Sequence, residues 1–157
     1  MSFSEDAFFA EIAARGAPRL RVAGLVLHDG AVLTQQAADD PAGYHALIGG
    51  EVEAGDALAG RLAQEFQEET DAALLDCRYL LCVENRFLWN GAAIHQIEHV
   101  FAATLDRVDI RSREAHLAFR WLPLGGIAQA DLRPRVLRDA LADGSWRTAR
   151  HLVEPLP

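Results

Sequence analysis

Apolar residues recur along this chain in two rhythms. Between residues 56 and 70 they fall four apart, at Leu58, Leu62 and Phe66, with Ala59 and Ala63 beside them. That is the period of a helix with one buried stripe. The spacing predicts a helix over Asp56–Thr70, with Asp56 as its N-cap or first-turn acid. Most other apolar runs are extended. Leu20–His28 and Ala31–Gln36 flank Asp29-Gly30, and Cys77–Trp89 and Ala92–Leu105 flank Asn90-Gly91. Both dipeptides favour the tight turn of a hairpin. His45–Ile48 reads as a short strand entering Gly49-Gly50, and Leu117–Leu122 as another. Phe3–Arg15 reads as a short amphipathic helix ending near Gly16. Arg135–Leu141 reads as a helix begun after Pro134 and ended by Gly144. Ala37–Tyr44 is a polar loop. With no repeat and no low-complexity linker, the 157 residues form one domain. The strand-rich order predicts an α+β fold, a mixed sheet packed between helices rather than a doubly wound one.

The polar face of the central helix is unusual. Glu65, Glu68 and Glu69 stand at i, i+3 and i+4, within roughly 100° of the helix surface. Like charges so placed repel, each pair costing some tenths of a kcal/mol. A solvated acidic helix is the plain reading. The convergent spacing favours a hard divalent cation, Mg²⁺ or Mn²⁺, because such ions prefer oxygen ligands.

Composition narrows the choice. Half of the residues are apolar, enough to fill a core. Residues 51 to 76 hold eight acids against Arg61 alone, so nearly all of the net charge of −8 lies there. That argues against broad nucleic-acid binding, which needs a basic face. All fifteen basic residues are Arg, a bias best explained by genomic base composition. No apolar run reaches the ~20 residues needed to cross a bilayer. The acidic start, Met1 to Asp6, lacks the basic region of a signal peptide. Cys77 and Cys82 are five apart and would face opposite sides of a strand, which argues against a mutual disulfide. The cytoplasm is therefore the expected compartment.

Residues 50 to 72 resemble the Nudix box. Gly50, Glu65, Phe66, Glu68 and Glu69 match it at the correct spacing, and Gly49, Glu53 and Gly55 fit its extended form. Val83–Phe87, Gly91 and His95 resemble a segment common in small Nudix hydrolases. Arg120–Leu124, Pro134 and Leu137 resemble their closing strand and helix. The likeness covers residues 20 to 142, leaving 1–17 as a helical extension. It implies the Nudix α/β/α sandwich. Departures are Asp56 for Glu, Gln64 for the Arg that orients the acids, Asp71 for the helix-ending Gly, Ala72 for a larger hydrophobe, Ile48 for Pro, and Gln96 for Glu.

The resemblance implies hydrolysis of a diphosphate linkage in a nucleoside diphosphate derivative, with Mg²⁺ or Mn²⁺. It implies metal ligation by Glu65, Glu68, Glu69 and the Gly49 carbonyl. It implies catalysis through Glu65 and Glu68, substrate contacts from Glu53, Glu84 and Phe87, and support from Gly50, Asp56 and Gln64. Glu98 is the candidate for a base on a later strand, since it shares a strand face with Gln96. His95 and His99 share the opposite face; two histidines without a third ligand are weak evidence for zinc. Phe87, Trp89 and Trp121 are candidates to stack a base, although strand aromatics usually fill cores. With Gln64 in place of Arg, the acids are expected to be less compensated. The partner is a small nucleotide-type molecule, with a homodimer by analogy. Two alternatives stand beside this reading. One is a degenerate Nudix domain that binds a nucleotide or protein without hydrolysis. The other is a Ca²⁺ module, opposed by the lack of an EF-hand ladder.

Overall fold

A computed structural model describes residues 3–157. Helix α1 spans Glu5–Ala14, capped by the Ser4 hydroxyl, which accepts from Ala7 N. The strands are β1 (Arg19–Leu25), β2 (Leu27–His28), β3 (Ala31–Ala37), β4 (Ile48–Glu51), β5 (Leu74–Trp89), β6 (Ala92–Leu105), β7 (Leu117–Pro123) and β8 (His151–Glu154). Helix α2 is Leu58–Glu69 and α3 is Arg135–Asp143. No helix of the described residues is long and apolar enough to cross a membrane.

Five strands form a mixed sheet in the order β4-β1-β6-β5-β8, and three form a smaller one, β2-β3-β7. β1 runs parallel to β6, and β8 parallel to β5; the other pairs are antiparallel. Both hairpin turns form where the sequence places them. Asp29 and Gly30 have φ of 47° and 73°, Asn90 and Gly91 of 47° and 80°, the left-handed pair such turns demand. The expected strand Leu20–His28 is broken after Leu25. Its last residues leave the large sheet to pair with β3, so one apolar run serves two sheets.

Alternation in β1 sends neighbours to opposite sides. Val22 joins Ile48, Leu62, Phe66 and Phe101 under α2. Ala23 joins Val83, Val100, Leu137 and Leu141 under α3. Both faces of the large sheet are thus covered over part of their length, as expected of a sheet between helices. The ring of Phe66 is fully buried and lies over Gly24, where a Cβ would come within 2.9 Å of it. Truncating such a ring costs ~3–5 kcal/mol. A third cluster, Phe9, Ile12 and Ile94, seats α1 on the α3 side, at the hairpin end of β5 and β6. Between α1 and α3 that face of the sheet is left open as a cleft.

Candidate functional site

Helix α2 carries the acids to the edge of this cleft. It begins two residues later than the spacing suggests, because Asp56 is not its cap. The Asp56 carboxylate accepts instead from Glu53 N at 3.0 Å, closing the loop before the helix, and Ala57 precedes the first turn without a side-chain cap. Leu62 and Phe66 anchor the helix on the sheet. That docking presses Glu65, only 6% exposed, against β4. A Cβ on Gly50 would fall on the Glu65 carboxylate, far inside van der Waals contact, so only glycine fits there.

The compensation expected to be missing at Gln64 is supplied one turn earlier. Arg61 Nε donates to Glu65 Oε1 at 2.7 Å, and its Nη2 bonds the same oxygen and lies 3.6 Å from Glu68. Gln64 Nε2 donates to Glu68 Oε1 at 2.7 Å. Arg61 supplies one positive charge and Gln64 a hydrogen bond, so the first two acids are oriented and partly compensated, which corrects in part the expectation of thin electrostatic support.

Glu69 is treated differently. Its Oε2 is shielded from solvent and has no hydrogen-bond partner. Burial pushes its pKa up to about 8; the charge of Glu65 adds to this and Arg21 opposes it. Such a carboxyl suits a divalent cation, which would supply the missing charge and the missing partner together. Glu65, Glu69, Gly49 and Gly50 all line the cleft, so oxygen-bearing groups of the kind a hard cation prefers border it. The three acids do not converge as the spacing suggests. Among the described residues no three His, Cys, Asp or Glu side chains are gathered to hold a metal. Glu68 is turned outward to Gln64 and is 48% exposed, because Arg61 fills the gap between it and Glu65.

The cleft itself encloses about 860 Å³. Next to the acids, β1 contributes Arg21, which pairs with Glu98 at 3.1 Å and donates to the Leu47 carbonyl at 2.8 Å. Both members of this ion pair are buried. Further along, Arg19 bonds Gln96 at 2.6 Å and Glu51 at 3.1 Å. Gln96 and Glu98 therefore share the cleft face, the position assigned to a later carboxylate. Gln35 Oε1, also in the cleft, is buried without a partner.

Other candidates fall elsewhere. Glu53 is exposed in the loop before α2 and Glu84 faces away; neither lines the cleft. Register explains Glu84: it opposes Ile97 while Val83 opposes Glu98, so Glu84 and Glu98 point to opposite sides. The Glu84 carboxylate meets His151 at 3.1 Å and lies 4.0 Å from His95. His99 bonds the Tyr79 hydroxyl at 2.8 Å. Phe87 lines the cleft but packs edge-on against Phe9 of α1, ring centroids 5.4 Å apart. Trp89 donates to Asp6 and Trp121 to the Val108 carbonyl, so each indole N–H is used structurally. Sequence reading missed Arg61, Arg19 and Arg21. Only Arg61 left a trace, its four-residue spacing to Glu65.

The end of α2 is also built differently from the resemblance. Asp71 is not left-handed; positive φ outside glycine occurs among the described residues only at Asp29 and Asn90. Its carboxylate accepts from Arg111 N at 2.9 Å and pairs with Arg107 at 3.3 Å, and Arg113 N donates to the Glu69 carbonyl at 2.8 Å. The Arg111 amide holds the Asp71 carboxyl below the usual carboxylate range.

This geometry agrees with the comparisons. A MutT NUDIX hydrolase from Burkholderia pseudomallei shares 26% identity, covers 69% of this chain and 84% of its own, and superimposes with a TM-score of 0.58. The MutT protein from Methanosarcina mazei Go1 shares 21% identity over 82% of this chain and 94% of its own, TM-score 0.65. The NUDIX domain of Shewanella oneidensis NrtR, in complex with ADP ribose, shares 20% over 91% and 97%, TM-score 0.62. No protein of curated function matches the chain. The family model described as NUDIX domain matches residues 17–143, from the residue pair before β1 to the last residue of α3, a span that includes Glu65, Glu69 and Glu98 of the cleft. The chain belongs to the NUDIX domain family.

Proposed function

We propose that this protein hydrolyses a diphosphate linkage in a nucleoside diphosphate derivative, using Mg²⁺ or Mn²⁺ held by Glu65 and Glu69. The observation that carries the reading is Glu69, whose buried, unpartnered oxygen faces the same cleft as Glu65. A divalent cation bound there would offset charge on the phosphoryl oxygens and acidify bound water. The Burkholderia hydrolase supports the reaction class, and the ADP ribose complex of the Shewanella domain supports a nucleotide-type ligand.

The chain's own residues supply the rest. Arg21 and Arg19 line the cleft beside the acids, each paired with a carboxylate, and would offer guanidinium N–H donors to phosphate oxygens. Glu98, fixed by Arg21, presents a carboxylate that can take a proton from the attacking water. The water oxygen bonds to phosphorus, the bridging P–O bond breaks, and the released phosphate carries the negative charge away. Arg61 pairs with Glu65 and holds its carboxylate in place. Glu68, outward and half-exposed, acts on the electrostatics of Glu65 and Arg61 rather than on the substrate.

One comparison tests this. The protein is incubated with nucleoside triphosphates, nucleotide sugars and dinucleoside polyphosphates in Mg²⁺ and then Mn²⁺. Turnover is expected for at least one class, with Glu69→Gln slower by more than about 100-fold. Metal ions are expected to raise the melting temperature of the wild type and not of Glu69→Gln. Ligand-induced stabilisation without turnover on any member would instead favour a binding domain that has lost hydrolysis.

A further inference from the structure

The α1 helix lies outside the matched family unit, yet it builds one wall of the cleft. It is tied down along its whole length. Glu5 accepts from the Tyr44 hydroxyl in the β3–β4 loop. Asp6 accepts from Trp89 Nε1 at 2.9 Å and Asn90 Nδ2 at 3.2 Å at the tip of the β5–β6 hairpin. Phe9 and Ile12 pack on Ile94. Arg15, just past its end, pairs with Glu51. These contacts reach three separate parts of the domain, so α1 is a fixed wall and not a loose tail.

The wall is aromatic. Phe8 is half-buried and lines the cleft, with the Arg19 guanidinium 4.9 Å from its ring centroid. Phe3 continues the row, its ring 5.8 Å from Phe8 and stacked at 5.0 Å on His116 from the rim of the smaller sheet. Contacts order the chemistry along the cleft. Arg21 and Arg19 follow one another on the same face of β1, both line the cleft with Glu65 and Glu69, and the Arg19 guanidinium lies over Phe8. Carboxylates are followed by two cations and then by aromatic rings. A nucleotide carries its groups in the same order: reacting phosphates, the remaining phosphate charge, and a flat base at the far end.

We propose that α1 is the base-binding element of this site, with Phe8 stacking the substrate's nucleobase and Phe3 and His116 closing over its outer edge. The inference rests on the nucleotide reading above. A base on an aromatic ring contributes a stacking term that any base can supply, since every base has a π-face. α1 therefore sets affinity for substrates that carry a base and leaves the chemistry at Glu65 and Glu69 alone.

The test is binding of ADP and of inorganic pyrophosphate, each with Mg²⁺, by titration calorimetry. Wild type is expected to bind ADP more tightly than pyrophosphate. Phe8→Ala and Phe8→Leu are expected to weaken ADP about tenfold or more and leave pyrophosphate within about twofold. Phe8→Trp should restore ADP binding. Phe8→Leu keeps the apolar packing of α1, so a parallel loss in both variants separates stacking from unfolding. Equal weakening of both ligands, or no change in either, overturns the role of Phe8. Equal affinity of wild type for the two ligands overturns the aromatic subsite and spares the diphosphate site. Failure of wild type to bind either ligand overturns the nucleotide reading itself, and this inference with it.

Discussion

Glu65 and Glu69 are one turn apart on α2 and line the same cleft, yet they are stabilised in opposite ways. Glu65 is pressed under β4 but has its own cation, Arg61, four residues back. Glu69 has an oxygen shut away from solvent and nothing bonded to it. One acid is complete within the folded chain; the other is complete only with something added. A buried ion pair that loses one member leaves an uncompensated charge, whereas a lone buried carboxyl holds its proton. The helix thus pairs a rigid ligand with a responsive one.

Removing the partner of the first acid should have the largest effect on stability. Arg61→Met leaves Glu65 buried without its cation, at an expected cost of about 2–4 kcal/mol in urea denaturation. Millimolar Mg²⁺ or Mn²⁺ should recover part of the loss. If the variant is as stable as the wild type, the two acids are not different in kind. The second acid should appear as a pH dependence. Glu69 holds its proton more tightly folded than unfolded, with a pKa of about 8 against an ordinary 4.5. Its stabilising contribution is therefore complete below pH 4.5 and is lost as pH rises to about 8, with a slope of up to about 1.4 kcal/mol per unit. Denaturation in EDTA across that range should show the slope. Glu69→Gln should remove it, and Mg²⁺ or Mn²⁺ should flatten it. The smallest effect is expected at Gln64. With Arg61 already in place, Gln64→Arg should change stability by less than about 0.5 kcal/mol and turnover by about twofold at most. A large gain would show that Arg61 does not do the work assigned to it.

Short-range signals carried most of the fold. Asp29-Gly30 and Asn90-Gly91 announce their turns because only a few residue types accept positive φ at both positions. The stripe Leu58, Leu62, Phe66 announces α2 because helical periodicity is local. What depends on register was not legible. Glu84 and Glu98 read alike in sequence, and only the pairing of β5 with β6 puts them on opposite faces. The split of the run after Leu25 between two sheets, and strand β8, likewise depend on long-range pairing. The site was half legible. Acid spacing located Glu65 and Glu69, but whether each is paired depends on Arg61 and Arg21, one local and one from a different strand. The aromatic wall was least legible, since nothing in Phe3–Arg15 says where that helix docks.

Just past the Thr70 cap of α2, the carboxylate of Asp71 grips a segment some forty residues further along the chain. Where the Nudix pattern follows this helix with a backbone that bends freely, this protein follows it with a tether. The position of Glu69 is then coupled to the length and conformation of residues 106–113. Insertions or deletions in that surface loop would reach the cleft without touching any residue that lines it. Judged by the motif alone, Asp71 looks like erosion; in three dimensions it is a relocation, and the segment free to vary has moved with it.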